Sequence, residues 1–431
     1  MTETGPPPAL RAAVEDRLEA LVETASELIR IPSLNPPGAE YRAVCEAIAR
    51  RLAPLGFEAT FIRAEGAPGD GDRFPRWNVV CRRDGARPGP CVHFNGHVDV
   101  VTVGAGWTVD PFGAAVIDGR LYGRGACDMK GGIAAAMIAA EAFLAVRPDF
   151  PGAIEISGTA DEESGGYGGV AFLAERGWFA PERVQHVIIP EPLDKDRVCL
   201  GHRGVWWAEI ETEGRIAHGS MPFLGDCAVR HMAAVIAEME ATLWPALASR
   251  ETAMPVAPPQ ARRSTLNLNA IHGGEAERAA EDTGLPAANV PDRCRLVIDR
   301  RFLAEEELAA VKAELRALLD RVAARRPGFR ARMRDLFEVR PSMTAEDAPV
   351  ARAVAAAVEA ALGRKAVFVA SPGTYDQKHI DRIGRLKDCV AYGPGRLERA
   401  HRPDEWVGVR DMADSATVMA LALESLLTRP A

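Results

Sequence analysis

The chain has 431 residues and a formal net charge of −8, with 47% hydrophobic and 26% charged residues. This length exceeds what a single hydrophobic core usually holds, so we expect two domains. The acidic balance argues against a protein that binds nucleic acid or membrane surfaces. No run approaches the ~18 apolar residues of a membrane-spanning helix, so none is expected.

The eight cysteines are scattered singly along the chain, without a C-x-x-C pair. Neither a zinc knuckle nor a disulfide framework is therefore indicated. The N-terminal segment is acidic and has no apolar core, which argues against a secretory signal. We expect a protein of the reducing cytoplasm.

Strand-like and helical segments alternate through the first half of the chain. The predicted helices are 9–30, 39–55, 131–146 and 168–176, and the predicted strands are 58–63, 77–82, 90–101, 153–158 and 186–189. A hairpin is predicted over 109–122, around Asp118-Gly119. This alternation favours an α/β sheet with a largely parallel core.

Residues with metal-binding side chains stand just beyond several of these strands: His97, Glu162, Glu163 and Glu191. Open α/β sheets place their sites at the carboxyl ends of strands. Asp128 adds a carboxylate from a glycine-rich turn before the apolar helix 131–146. Imidazole nitrogen and carboxylate oxygen both bind metals, so the pattern indicates a metal site. Asp99, two residues after His97 in extended chain, faces the same side and is expected to hold the imidazole ring.

The pattern changes near residue 204. Antiparallel-like strands are predicted over 206–213, 264–272, 293–302 and 329–337, with helices over 226–247 and 304–325. The first pattern then resumes with a helix over 343–361, strands over 366–370 and 388–392, a loop that carries His401, and a helix over 411–427. We therefore predict a catalytic domain in two parts, 1–203 and 339–431, interrupted by an inserted α+β domain, 204–338.

Six ordered features resemble one known family: HVDVV, GRGACDMKGG, GTADEESGG, IPEP, AHGSMP and the late His401. The family is that of acetylornithine deacetylase and succinyl-diaminopimelate desuccinylase, which also includes aminoacylase and glutamate carboxypeptidase. The resemblance runs from 28–38 to 400–406, almost the whole chain. It implies a discontinuous catalytic domain of the di-zinc aminopeptidase type, with an inserted ferredoxin-like domain that acts as a lid and joins two subunits in a homodimer.

The resemblance also implies two metal ions about 3.5–4 Å apart in a shared site. One ion would be bound by His97, Glu191 and Asp128, and the other by Glu163, His401 and the same Asp128. Glu162 would be the general base, and Asp99 would orient His97. The family further has a cis peptide bond after the bridging aspartate, here Asp128-Met129.

Residues of the inserted segment match the family's substrate contacts. His218, in AHGSMP, would stabilise the oxyanion of the tetrahedral intermediate, often across a dimer interface. Arg301 would bind a substrate carboxylate, although its neighbour Arg300 is an alternative. Asn289 is a further candidate contact. Thr374, which lies beyond the inserted segment, is another, although Pro372 stands where many relatives have one residue of a glycine pair.

Chemistry and resemblance together predict hydrolysis of the amide bond of a small N-acyl amino acid or related amine. The ligand set lacks a thiolate, which suits Zn²⁺ and also Co²⁺ or Mn²⁺. The alternatives are a metallo-carboxypeptidase or dipeptidase, a deformylase of an N-formyl aminopyrimidine, and a metal-free binding protein on the same fold. An alternative interpretation places His401 in a basic surface loop and Glu191 in a turn, without a metal. Measurement of bound metal distinguishes the two interpretations.

Overall fold

The computed structural model describes residues 8–274 and 288–428. The helices, numbered α1 to α11 in chain order, are Pro8–Glu15, Leu18–Arg30, Tyr41–Leu52, Gly131–Val146, Phe172–Glu175, Ala228–Glu238, Trp244–Ala248, Leu308–Arg325, Pro349–Leu362, Gln377–Arg382 and Val409–Thr428. The strands, β1 to β16, are Glu58–Arg63, Trp77–Asp84, Arg87–His97, Ala115–Ile117, Arg120–Tyr122, Pro151–Thr159, His186–Pro192, Arg197–His202, Gly204–Glu213, Thr265–Gly273, Arg293–Phe302, Arg330–Val339, Ser342–Met343, Val367–Ser371, Cys389–Gly393 and Trp406–Gly408.

The chain forms two compact units. The first comprises Met1–Gly201, Met343–Val369 and Tyr375–Ala431, and the second comprises His202–Ser342 and Ala370–Thr374. The first unit is therefore discontinuous in sequence. The predicted insertion, 204–338, covers most of the second unit.

A nine-stranded sheet organises the first unit, in the order β1-β2-β6-β3-β7-β15-β8-β13, with β14 paired to β8. The four central strands, β6, β3, β7 and β15, are parallel to one another. Strands β2 and β8 flank them and pair antiparallel, and β1 pairs antiparallel with β2. The predicted parallel core is thus confirmed. Because parallel strands end at the same edge, the carboxyl ends of β3, β6 and β7 lie side by side.

Helix α4 is a core element of the first unit. It is rich in alanine, is buried from Gly131 to Ala140, and packs against α11, β3 and β7. Together with the preceding turn it spans Ala126–Val146, which is long and apolar enough to cross a membrane, yet it is mostly buried inside the protein. Asp128, Lys130 and Glu141 interrupt its apolar residues, so it does not contradict the expectation from the sequence. The burial is typical of a core helix.

A small sheet, in the order β16-β5-β4, lies in the same unit. The hairpin of β4 and β5 turns at Asp118 and Gly119, which have φ values of 49° and 72°. Two successive positive φ values are typical of a type I′ turn, which Asp-Gly favours. The predicted hairpin is confirmed, and β16 pairs with β5 directly after Glu405.

The second unit has a four-stranded antiparallel sheet in the order β10-β11-β9-β12. Helices α6 and α8 pack with it around a core that includes Trp206, Ile210, Met232, Leu296 and Leu315. The chain order β-α-β-β-α-β is the ferredoxin-like arrangement that was predicted for this segment. Its roles as a lid and a dimer interface stay predictions.

Several local differences separate the predicted from the observed elements. The single helix predicted over 9–30 is two helices, α1 and α2. The helix predicted over 168–176 is shortened to α5, because Gly169 has a non-helical backbone and lies against the carbonyl oxygen of Ala160. The helix predicted over 226–247 is divided into α6 and α7 by a wider turn at Met239–Leu243. The sequence did not predict β8 or α10, and α10 contributes to the candidate site described next.

Candidate metal centre

His97 is the last residue of β3, and its imidazole is buried. Its Nδ1 lies 3.0 Å from the backbone oxygen of Asp99 and 3.5 Å from the carboxylate of Asp99. Because a carbonyl oxygen only accepts, Nδ1 donates a proton to it, which leaves Nε2 as the ring nitrogen that faces Asp128 and could bind a metal. Asp99 therefore orients the ring as expected, but its shorter contact is through the backbone carbonyl.

Asp128 lies in the turn before α4, and the peptide bond between Asp128 and Met129 is cis, as the resemblance implies. Glu405 holds this turn: its Oε1 accepts hydrogen bonds from the backbone N–H groups of Gly125, Cys127 and Asp128, at 3.1, 2.9 and 3.0 Å. The other carboxylate oxygen pairs with the buried Arg124 guanidinium. Sequence reasoning missed this support, and the signal that could have found it is an acidic residue four positions after His401.

The glycines after Asp128 allow α4 to approach β7. A Cβ atom at Gly132 would lie 2.0 Å from the carbonyl oxygen of Pro190, so this position requires glycine. The next residue along β7 is Glu191. The close approach therefore brings the Asp128 turn beside the strand that carries Glu191.

Two groups of candidate ligands lie together within the described residues. In the first, His97, Asp128 and Glu191 are all buried and their ligand atoms lie within 4.8 Å of one another. In it, His97 Nε2 is 3.0 Å from Asp128 Oδ1 and 4.0 Å from Glu191 Oε1. These three atoms could bind one cation.

The second group comprises Asp128, Glu163 and His401. His401 Nε2 is 3.0 Å from Glu163 Oε1 and 3.6 Å from Asp128 Oδ2, and its side chain is 50% exposed. Asp128 thus directs Oδ1 towards one histidine and Oδ2 towards the other. The structure brings together all five ligands predicted from the sequence, with Asp128 shared between the groups.

The charges in this cluster strongly perturb one another. Burial and the nearby charge of Asp128 raise the pKa of Glu191 well above its usual range, and burial raises the pKa of Glu163 to about 7. The hydrogen bond to Glu163 raises the pKa of His401 to about 9. Carboxylates that are forced together without enough positive charge hold protons. Divalent cations would relieve this crowding, so the donor set fits them.

Glu162 and Glu163 follow β6 in a short loop whose backbone is hydrogen-bonded to Asp99. The two carboxylate oxygens of Asp99 accept hydrogen bonds of 3.1 Å each from the backbone N–H groups of Glu162 and Glu163. Asn35 donates a hydrogen bond of 2.8 Å to the same carboxylate. One buried aspartate thus positions both His97 and this loop.

The side chain of Glu162 belongs to neither ligand group among the described residues. Its Oε1 lies 2.8 Å from Nζ of Lys378, a buried residue of α10. The adjacent glutamates therefore point to different partners: Glu163 to His401 and Glu162 to a lysine. Lys378 was not predicted, because nothing in the sequence around it marks a buried cation.

The remaining candidates lie in the second unit. His218 is exposed, with Nδ1 2.7 Å from Ser220 Oγ, and it forms an isolated β-bridge with Asn289. Thr374 ends the short segment Ala370–Thr374 that joins this unit.

The two arginines at the end of β11 differ in burial. Arg300 is 2% exposed, and its guanidinium binds Ser264 and Glu306. Arg301 is partly exposed, and its guanidinium binds Asp299 through two hydrogen bonds of 2.8 and 2.9 Å. Of the two, Arg301 is the one that a solute could reach.

Comparison with known proteins gives the family. The family model described as Peptidase family M20/M25/M40 matches residues 93–425. A succinyl-diaminopimelate desuccinylase of Thioalkalivibrio sulfidiphilus is 30% identical over 412 residues, which cover 94% of this chain and 98% of that protein.

Solved structures share the fold. Human carnosine dipeptidase 1 has a TM-score of 0.76 at 19% identity, covering 97% of this chain and 98% of that chain. A Bacillus subtilis protein described as a dinuclear metal binding peptidase from the M20 family has a TM-score of 0.66 at 17% identity, covering 96% and 99%. The resemblance and the fold class predicted from the sequence are thus confirmed. The chain belongs to the peptidase family M20/M25/M40 and is a hydrolase of that family.

Proposed function

We propose that this protein is a metal-dependent deacylase that hydrolyses the amide bond of a small N-acyl amino acid, with an N-succinyl amino acid as the leading substrate. The observation that carries the proposal is the pair of ligand groups that share Asp128, with Glu162 beside them. The names of the relatives, which are desuccinylases, support the choice of acyl group.

Two divalent cations fit the donor set, one with His97, Asp128 and Glu191 and one with Asp128, Glu163 and His401. Zn²⁺ is the proposed metal, since the ligands are imidazole and carboxylate, and Co²⁺ or Mn²⁺ suits the same donors. When bound, the ions would supply a water of lowered pKa and polarise the substrate carbonyl.

The residues of the chain then handle the proton. Glu162 Oε1 is engaged by Lys378, so Oε2 accepts the proton of the attacking water. The same oxygen returns that proton to the leaving amine nitrogen, which would otherwise depart as an unstable anion. Asp99 fixes both the ring of His97 and the backbone of the Glu162 loop, which keeps these groups aligned.

Substrate selection is assigned to the second unit. Arg301 offers a planar fork that matches a carboxylate, and it is the accessible member of the Arg300-Arg301 pair. His218 offers a hydrogen-bond donor for the oxygen that becomes negative in the transition state. Asn289, which pairs with the backbone of His218, and Thr374 are proposed as further substrate contacts.

A substrate panel tests this function. The metal-loaded protein is assayed with N-succinyl, N-acetyl, N-formyl and N-carbamoyl amino acids, dipeptides and an N-formyl aminopyrimidine. We expect the highest kcat/KM with an N-acyl amino acid. Preference for dipeptides would instead support a carboxypeptidase or dipeptidase, and preference for the pyrimidine would support a deformylase. Hydrolysis of none of them by protein with bound metal would contradict the deacylase.

We also propose a homodimer formed through the second unit. Large apolar side chains are exposed there, among them Ile216, Phe223, Leu224 and Ile271, and Phe223 is 77% exposed. Such groups on one unit support an interface. Sedimentation should give twice the chain mass for the wild type and a shift towards monomer for Phe223→Ser. A monomeric wild type would contradict this. A cytoplasmic location is proposed too, supported by eight free cysteines of which all but Cys227 are buried.

A further inference from the structure

Lys378 is a buried cation beside the candidate site. It lies in the first turn of α10, is 2% exposed, and its Nζ is 2.8 Å from Glu162 Oε1. Burial lowers the pKa of Lys378, but the charges of Glu162 and Asp376 outweigh it and the net shift is upward. Lysine is almost never fully buried unless it is paired. The pairing with Glu162 is therefore what keeps this ammonium in place.

Asp376, the residue before α10, ties the helix to the central strands. Its Oδ2 accepts a hydrogen bond of 3.0 Å from Asn95, which lies in β3 two residues before His97. Asn95 in turn accepts a hydrogen bond of 2.9 Å from Ser157 of β6. The start of α10 is thus fixed to the two strands that lead to His97 and to the Glu162 loop.

The row of buried polar groups continues away from the site. His93 lies 2.8 Å from Ser157 through Nε2 and 2.9 Å from Glu155 through Nδ1. These residues alternate along neighbouring parallel strands, so they lie on one face of the sheet. These hydrogen bonds hold the side chains of His93, Asn95 and Ser157 in place, whereas Asp376 Oδ1 has no hydrogen-bond partner among the described residues.

The same helix also contacts the backbone of the Glu162 loop. His379 Nε2 lies 2.7 Å from the carbonyl oxygen of Gly165. Helix α10 therefore contacts the loop twice, through the Lys378 ammonium and through the His379 ring. These contacts are to both the backbone of this loop, at Gly165, and the carboxylate of Glu162.

We propose that Lys378 is a positioning residue, which fixes the Glu162 carboxylate so that Oε2 faces the attacking water and the leaving nitrogen. Three rotatable bonds lie between Cα of Glu162 and its carboxylate oxygens, and the ion pair at Oε1 restricts them. This inference rests on the proposed function, because it takes Glu162 as the proton carrier. Lys378 acts through Glu162 and not on the substrate.

The test is a double-mutant cycle on the metal-loaded protein, with wild type, Lys378→Met, Glu162→Gln and the double variant. Lys378→Met should lower kcat about 10- to 100-fold, because a misoriented acid–base group loses part of its contribution, and should change KM and metal content little. In the Glu162→Gln background the same substitution should change kcat less than about threefold, because the group that Lys378 positions is already lost.

Lys378→Arg tests whether the loss in Lys378→Met comes from misfolding. Because this variant keeps the positive charge beside Glu162, it should recover most of the lost kcat. Lys387→Met is the matched control, because Lys387 follows the same helix, is 75% exposed and pairs with Asp381 away from Glu162. It should behave as wild type. Equal losses from Lys378→Met in both backgrounds, or loss of metal, would overturn the positioning role. An inactive wild type with bound metal would contradict the proposed function instead.

Discussion

The two units treat their candidate residues differently. In the first unit, five candidate ligands from distant parts of the chain lie together. Burial raises the pKa values of Glu163 and Glu191, and the hydrogen bond to Glu163 raises that of His401. In the second unit, the side chains of His218 and Arg301 form hydrogen bonds to residues two positions away, Ser220 and Asp299. The first arrangement brings several carboxylates close together, whereas in the second each side chain already has a hydrogen-bond partner nearby in the sequence.

We expect the first unit to carry the catalytic residues and the second unit to carry the residues that recognise the substrate. A cluster of buried carboxylates with raised pKa values is suited to bind divalent cations, which lower the pKa of a bound water. Side chains that are locally paired and accessible can exchange their partner for a substrate group with little reorganisation. We therefore expect substitutions in the first unit to affect turnover of every substrate, and Arg301 in the second unit to affect the choice among substrates.

The largest expected effect is at Glu162. Glu162→Gln should lower kcat roughly 10²–10⁴-fold, because the amide cannot carry the proton, while metal content stays unchanged. Glu163→Gln is the matched variant at the adjacent position and should lose a metal ion, because Glu163 pairs with His401 in the ligand group. Kinetics and metal analysis of both variants check this. Metal loss in Glu162→Gln but not in Glu163→Gln would reverse the two roles.

A smaller effect is expected at His218. His218→Ala should lower kcat roughly 10²-fold with every substrate, because a donor to the developing oxyanion is removed. Ser220→Ala is a useful comparison, since it removes the hydrogen-bond partner of His218 but leaves the imidazole. Steady-state kinetics over the substrate panel distinguish the two. A His218→Ala effect confined to KM would exclude the oxyanion role.

Metal affinity should depend on pH. In the metal-free protein the pKa of His401 is about 9, through its hydrogen bond to Glu163, and that of Glu163 is about 7, through burial. Both groups must lose their protons to bind a cation, so affinity should be highest above pH 9 and fall as the pH drops through 9 and then 7. At the second ligand group we expect about a tenfold loss of affinity per pH unit between pH 9 and 7, where one proton is displaced, and about a hundredfold loss per unit below pH 7, where two are displaced. Calorimetry in several buffers also counts the released protons, and a pH-independent affinity would contradict the cluster's electrostatics.

The smallest expected effect is at Arg301. Arg301→Ala should lower kcat/KM about tenfold for substrates with a carboxylate and leave their amide analogues nearly unchanged, because one charged hydrogen-bonding group is lost. The effect is moderate because a substrate must share the guanidinium with Asp299. Arg295→Ala, on the same strand and paired with Glu211, is the control. Unchanged selectivity in Arg301→Ala would remove it from substrate recognition.

Sequence patterns predicted the features that depend on local order. His97, Glu163 and Glu191 could be proposed as ligands because each stands just beyond a predicted strand, and Asp128 because it lies in a glycine-rich turn; the resemblance added His401. The parallel core and the Asp118-Gly119 turn likewise follow from short-range signals. The roles of the ligands and of Glu162 stay predictions until bound metal and kinetics are measured.

Features that depend on tertiary contacts were missed. Helix α10 is short and polar, with no apolar periodicity, and it is stabilised by Asn95 and Glu162 from distant parts of the chain. Glu405 reads as one more acidic residue in a surface loop, yet it binds three backbone N–H groups of the Asp128 turn. Buried charges such as these are specified by partners that are remote in sequence.

The central claim is that two ligand groups sharing Asp128 bind the ions required for amide hydrolysis. The most direct measurement is a titration of metal-free protein with Zn²⁺, following activity and bound metal together. We predict no activity without metal, full activity at about two ions per chain, and neither activity nor tight binding in Asp128→Ala. Full turnover by the metal-free protein, or by Asp128→Ala, would contradict this account.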